Sequence, residues 1–135
     1  MSNIILDTHI LLWTLLEPNR LSEKIKNIIP KAQDSDNLFI SSITLWEIAM
    51  LISKKRINVF EPTVTFLNSI SNIQGLNIAQ INASISADSC SLVDFHGDPA
   101  DRLIVSTTRE LSGSLVTQDQ KILDFADQGF VKVIH

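Results

Sequence analysis

The stretch Asn3-Ile4-Ile5-Leu6-Asp7 places three large apolar residues directly before an aspartate, close to the start of the chain. A short apolar run of this kind is typical of a buried strand. The apolar residues from Ile10 to Leu16 recur at helical spacing and stop before Pro18, which predicts a helix. The opening therefore predicts a strand, an acid at its carboxyl end, and a helix.

The same alternation of short apolar runs and helical periodicity continues to the end of the chain. Ser22 is a good cap for the second helix, whose end Pro30 is expected to disturb. Further strands are predicted at 38–41, 76–78, 114–116 and 131–134, and further helices at 44–55, 64–70, 82–93, 100–111 and 118–126. Alternation at this spacing predicts a three-layer α/β/α fold with a five-stranded parallel sheet.

Length and composition favour one domain over residues 1–135, because 135 residues that are 44% hydrophobic can build one core of ordinary size. The net charge of −4 argues against a protein that coats nucleic acid through bulk positive charge. Cys90 is the only cysteine, so no internal disulfide can form, and no apolar run approaches the roughly 20 residues that cross a bilayer. The sequence predicts a cytoplasmic protein with no membrane partner.

Acidic residues recur where parallel strands end and the next helices begin. Asp7 ends the first strand, Glu47 lies near the start of the helix after the second, and Asp119 follows the fourth. Asp98 and Asp101 open the helix that leads into the fourth strand. Because ligands of such sheets bind beyond the carboxyl ends of the strands, we expect these acids to lie together.

Several of these acids also have an ordinary structural interpretation. Thr44 and Glu47 match the capping-box pattern, and Asp98-Pro99 matches a cap followed by proline at the first helical position. Asp101 and Asp119 suit the positive end of a helix dipole. Asp7 is harder to explain in this way, since an acid that ends a central apolar strand needs a hydrogen-bond partner or a cation.

Clustered carboxylates repel one another unless a cation lies between them. Oxygen-only ligands favour Mg²⁺ or Mn²⁺, and no pair of Cys or His residues has the spacing of a zinc site. Such an ion suits phosphodiester hydrolysis, because it polarises the phosphate and lowers the pKa of an attacking water. Hydroxyl groups that can orient the carboxylates or water belong to Thr8, Ser42, Thr44 and Thr117.

Four segments of the chain resemble the PIN domain, and more narrowly the VapC ribonuclease toxins of bacterial type II toxin–antitoxin pairs. They occur in the family's order and span almost the whole chain: Ile4 to Trp13, Ser41 to Ala49, His96 to Ile104 and Leu115 to Asp119. The resemblance implies a PIN-like five-stranded parallel sheet and metal-dependent RNA cleavage. It also implies a small antitoxin partner and a homodimer.

Residue by residue, the resemblance assigns the four catalytic, metal-binding acids to Asp7, Glu47, Asp101 and Asp119. Asp98 is then a supporting neighbour of these ligands. Because contacts to an RNA backbone need Lys or Arg near the site, the candidate substrate-binding residues are Arg102, Lys54, Lys55 and Arg56. The alternative interpretation is a non-enzymatic PIN-like module that binds protein or RNA and uses its acids as helix caps.

Overall fold

The computed structural model describes residues 2–95 and 97–135. The strands are β1 Ile4–Leu6, β2 Leu38–Ser41, β3 Leu76–Ala79, β4 Ser114–Val116 and β5 Lys132–Ile134. The helices are α1 Thr8–Leu16, α2 Glu23–Asp34, α3 Ser42–Ser53, α4 Thr63–Ser71, α5 Ala83–Cys90, α6 Pro99–Glu110 and α7 Gln120–Ala126. One 3₁₀ turn, Pro18–Arg20, lies between α1 and α2.

All five strands pair in parallel, in the order β3-β2-β1-β4-β5. Ile4 and Leu6 pack into one apolar cluster with residues of α1 to α4, whereas Ile5 packs into a second cluster with residues of α6 and α7. The alternation of side chains along β1 thus buries both faces of the sheet. The predicted three-layer α/β/α fold with a five-stranded parallel sheet is confirmed.

The register of the sheet decides where the site forms. Leu6 lies opposite Ile40 on one side and Val116 on the other. The next residues along these strands, Asp7, Ser41 and Thr117, therefore reach the carboxyl edge at the same level. Helices α1 and α3 begin directly after this edge, so their N-termini lie around it.

Several predicted boundaries differ from the structure. Helix α2 continues past Pro30 to Asp34, because Ala32 beyond the proline is fully buried and holds the last turn against the core. Helix α5 ends at Cys90 rather than at residue 93, and α7 begins at Gln120 rather than at 118. Among the described residues, none of the helices is both long and apolar enough to cross a membrane.

Candidate active site

Asp7 is almost fully buried at the carboxyl end of β1, with 6% of its surface exposed. Its Oδ1 accepts a hydrogen bond from the amide of Ile10, which caps α1, and its Oδ2 accepts one from the hydroxyl of Thr117. Burial raises the pKa of Asp7 to about 6, although both hydrogen bonds lower it. The carboxylate is thus held in one orientation at a site that disfavours its charge.

Threonines hold the segments around Asp7 in place. The Oγ1 atoms of Thr8 and Thr44 lie 3.1 Å apart in a buried hydrogen bond that joins the starts of α1 and α3. Thr117 donates to Asp7 and accepts from the amide of Asp119 at 3.0 Å. Through Thr117, the positions of Asp7 and Asp119 depend on each other.

Glu47 is buried inside α3, and its Oε1 has no hydrogen-bond partner among the described residues. The predicted capping box of Thr44 and Glu47 is wrong. The cap is Ser41, whose Oγ accepts from the amide of Ile43, so α3 starts at Ser42 and Glu47 lies in its second turn. A buried carboxylate oxygen without a donor is costly, and a bound cation removes that cost.

Asp98 caps α6 as predicted, with Oδ1 accepting from the amide of Asp101 at 2.8 Å and Pro99 at the first helical position. The structure nevertheless places it closer to the other acids than the sequence indicated. Carboxylate oxygens of Glu47, Asp98 and Asp101 all lie within 4.8 Å of one another. Asp98 is therefore part of the cluster rather than only a neighbour of it.

Asp101 is the acid that the other carboxylates affect most. Its pKa rises from the ordinary 3.8 to about 7, first through burial and then through the negative charges of Asp98, Asp119, Glu47 and Asp7. Asp119 caps α7, since its Oδ1 accepts from the amide of Lys121 at 2.8 Å. All five acids thus belong to one electrostatic cluster, which we call the acidic centre.

The donor set of the acidic centre fits a divalent cation. It consists of carboxylate oxygens, the ligands that Mg²⁺ and Mn²⁺ prefer. Glu47 also carries a buried oxygen, Oε1, that has no hydrogen-bond partner among the described residues. Capping uses only one oxygen, Oδ1, in each of Asp7, Asp98 and Asp119. The capping interpretation and the metal-site interpretation are therefore compatible for Asp98 and Asp119, because an aspartate can cap a helix with one oxygen and present the other. In Asp7 the second oxygen accepts from Thr117 and can offer a cation only its remaining lone pair.

The sequence pattern of the PIN domain matches residues 4–128. The chain belongs to the PIN-domain family. Ribonuclease VapC22 of Mycobacterium tuberculosis is 33% identical over 123 residues, which cover 90% of this chain and 91% of that protein. This relationship extends over nearly the whole of both chains.

Solved structures share the PIN fold over almost the full chain. VapBC2 from Rickettsia felis, bound to a DNA fragment from its promoter, matches with a TM-score of 0.73 at 18% identity, covering 98% of each chain. FitAcB from Neisseria gonorrhoeae matches with a TM-score of 0.67 at 19% identity, covering 98% of this chain and 96% of that one. At such identities the likeness establishes the fold alone.

Arg102, which the sequence placed at the substrate, has three of its five N–H groups engaged within the chain. Its guanidinium donates to three backbone carbonyls around the α5–α6 connection, those of Ser89, Leu92 and Phe95. Consecutive helical residues point about 100° apart, which follows from 3.6 residues per turn, so Arg102 does not share the face of α6 that carries Asp101, and its contact with RNA stays a prediction. Asp101 faces the acidic centre, and Arg102 instead fastens the connection that precedes α6.

The other residues predicted to orient the acids or to bind RNA lie in different surroundings. Ser42 does not support the acids, since its Oγ accepts from the amide of Ile81 after β3. Lys54 and Lys55 are exposed where α3 ends. Arg56 lines a groove whose wall also contains Glu47 and Asp98. Of the predicted basic run, Arg56 is thus the member that the structure brings next to the acids.

Sequence reasoning missed a cation at the acidic centre. Arg20 lies in the 3₁₀ turn after α1, with its guanidinium over the ring of Trp13. It lines two depressions beside the acids: the groove that contains Glu47 and Asp98, and a second one that contains Asp7 and Asp119. No local pattern marks Arg20, because its turn is brought to the site by tertiary packing alone. His9 lines the same two depressions, whereas His96, the first residue of the third motif, lies outside the described residues.

Proposed function

We propose that this PIN domain is a metal-dependent ribonuclease, the toxin component of a VapBC-type toxin–antitoxin pair. The observation that carries the proposal is the acidic centre, in which carboxylates from four chain segments share one charge cluster and a buried oxygen of Glu47 has no partner among the described residues. The relationship to Ribonuclease VapC22 supports RNA as the substrate. The chain acts as one domain over residues 1–135.

Asp7, Glu47, Asp101 and Asp119 would hold the ion, and Asp98, whose carboxylate lies within 4.8 Å of those of Glu47 and Asp101, would contribute a fifth carboxylate. When bound, Mg²⁺ or Mn²⁺ polarises the scissile phosphate and lowers the pKa of the attacking water. The protein contributes a fixed arrangement of ligands. Thr117 and the amide of Ile10 orient the two oxygens of Asp7, so little side-chain freedom is lost when a cation binds.

The same residues give the site its affinity for cations. Repulsion among the acids and burial raise the pKa of Asp101 to about 7, which measures how unfavourable the negative charge is without a counter-charge. A divalent cation bound between the carboxylates would offset both their mutual repulsion and the cost of burying their negative charge. The N-termini of α1, α6 and α7, which three of the acids cap, keep the carboxylates directed at one place.

Purified protein is expected to cleave single-stranded RNA in Mg²⁺ or Mn²⁺ and to stop when excess EDTA is added. The assay follows the length of a labelled RNA over time, with the antitoxin removed. Re-addition of the metal after EDTA controls for damage to the protein. Intact RNA in both metals would favour the non-enzymatic PIN-like module, and equal cleavage in EDTA would reject the metal mechanism.

We infer the partner from the solved neighbours, which include toxin–antitoxin complexes, and from the charge of the site. A basic extended segment of an antitoxin can lay an arginine across the acidic centre and pair with its carboxylates. Co-expression with the product of the adjacent open reading frame should give a complex that copurifies, lacks nuclease activity and weakens in high salt. If the co-expressed chain is still fully toxic to the host cell and no complex copurifies, this assignment is contradicted.

A further inference from the structure

Arg20 and Trp13 form a stacked pair at the mouth of the acidic centre. The guanidinium carbon of Arg20 lies 4.3 Å from the centroid of the indole ring. One depression beside the pair contains Asp7 and Asp119, and the groove on its other side contains Glu47 and Asp98. A strand of RNA that enters the acidic centre from this side must pass the pair.

Hydrogen bonds join the backbone around Arg20 to the segment that carries Asp119. Gln118, the residue before Asp119, accepts from the amide of Ser22 at 3.4 Å and donates to the carbonyl of Arg20 at 3.5 Å. The amide of Arg20 donates to the carbonyl of Glu17 at 3.0 Å, which closes the turn. Arg20 is therefore held in a defined position relative to Asp119.

Among the described residues, the charge of Arg20 has one ion-pair partner, and that pair is weak. Its Nη1 lies 3.6 Å from a carboxylate oxygen of Glu17, and both side chains are more than half exposed, at 55% and 60%. An exposed ion pair of this kind adds little stability, so a phosphate can replace the carboxylate at small cost. Stacking leaves the N–H groups in the guanidinium plane free to form paired hydrogen bonds with phosphate oxygens.

The remaining arginines show why Arg20 is distinctive. Arg102 donates to backbone carbonyls, and Arg109 is paired with Asp88 and the carbonyl of Phe130. Arg20 and Arg56 both line the groove next to Glu47 and Asp98. In a chain of net charge −4, a polyanion that approaches five acids needs such cations beside them.

From this geometry we infer that Arg20, oriented by Trp13, binds a backbone phosphate of the RNA strand next to the acidic centre. Glu17 competes with that phosphate for the guanidinium. The inference rests on the proposed ribonuclease function and specifies how the substrate is held. Arg20 contacts the substrate, whereas Trp13 positions Arg20.

The test measures binding of a short fluorescein-labelled single-stranded RNA by fluorescence anisotropy, with every variant made in an Asp7→Asn background to prevent cleavage. Arg20→Gln should weaken binding roughly tenfold and lower the slope of log affinity against log salt by about 0.7. Arg20→Lys should restore part of the loss, because it keeps the charge but not the planar donor group. Lys31→Gln, an equal charge change at the opposite edge of the sheet, should alter affinity less than about twofold.

Two further variants separate this role from a structural one. Trp13→Leu should weaken RNA binding towards the level of Arg20→Gln, while Trp13→Phe, which keeps a ring under the guanidinium, should retain most of it. Glu17→Gln should tighten binding, because the competing carboxylate is gone. Asp34→Asn, which removes a carboxylate at the far end of α2, controls for the general loss of one negative charge.

The outcomes distinguish this inference from the proposed function. With Asp7 present, Arg20→Gln should raise KM and change kcat little. If the unmutated protein cleaves RNA and Arg20→Gln binds and cleaves like Lys31→Gln, the phosphate contact is refuted and the nuclease stands. If no cleavage occurs in any metal but the binding series follows the expected order, the nuclease proposal fails and the contact stands.

Discussion

Asp7→Asn is expected to reduce the rate of RNA cleavage by about a hundredfold to a thousandfold, the loss typical of removing one group that fixes charge at a reacting centre. The amide keeps the shape of the side chain and one oxygen that can still cap α1 in place of Oδ1. It removes the negative charge that would bind the cation. Cleavage of a labelled RNA in Mg²⁺ and in Mn²⁺ measures the effect.

The Asp7→Asn variant should fold, which makes its loss of activity interpretable. Burial raises the pKa of Asp7 to about 6, so the interior accommodates a neutral side chain here at least as well as a charged one. Asp127→Asn is the matched control, because Asp127 is an exposed aspartate where α7 ends. Equal cleavage by both variants, with equal melting temperatures, would remove Asp7 from the mechanism.

The order of strands and helices was predictable because each element carries its own local signal. The apolar run before Asp7 and the Asp98-Pro99 start of α6 are complete within a few residues, and the structure confirms both. The start of α3 was not predictable in this way, since Ser41 and Thr44 are both good caps. The choice depends on β2, whose pairing with β3 continues to Ser41.

The sequence predicted that the acids lie together, but it did not predict the position of Arg20 or the direction of Arg102. The acids lie where strands end and helices begin, positions that local patterns mark. The direction of Arg102 depends on the packing of α5 against α6, and the position of Arg20 depends on Trp13 and Gln118. These contacts depend on how loops and helix ends pack in three dimensions, so the periodicity of the sequence does not record them.

The homodimer that the family resemblance implies needs exposed apolar surface, and α1 is the helix to inspect for it. Leu11 and Leu12 are buried in the chain's own core, and Trp13 is partly buried against it. Leu15 and Leu16 keep 39% and 43% of their surface exposed. Most of the apolar surface of this helix is thus buried within the chain itself, and the homodimer stays a prediction.

Metal-free protein is expected to lose stability as the pH rises from about 4 to about 8. In the unfolded chain Asp101 releases its proton near pH 3.8, whereas the folded protein keeps that proton until about pH 7. Between these values the folded state binds more protons, so the free energy of unfolding falls as the pH rises. Asp7 acts in the same direction, with a pKa of about 6 in the folded state.

Asp101→Asn should therefore stabilise the metal-free protein at pH 8 by about 1 to 2 kcal/mol, after discounting the pKa shift for the partial exposure of the side chain. Near pH 3 the variant and the unmutated protein should have similar stability, because Asp101 is then protonated in both states. Urea unfolding in EDTA at several pH values gives the difference, and Asp127→Asn should show no such trend.

Mg²⁺ should stabilise the unmutated protein at pH 8 far more than Asp101→Asn, since binding to the folded state alone raises its stability and needs the charged carboxylates. A variant that is less stable than the unmutated protein at pH 8 in EDTA would show that Asp101 stabilises the fold through the positive end of the α6 dipole rather than forming part of a strained cation site.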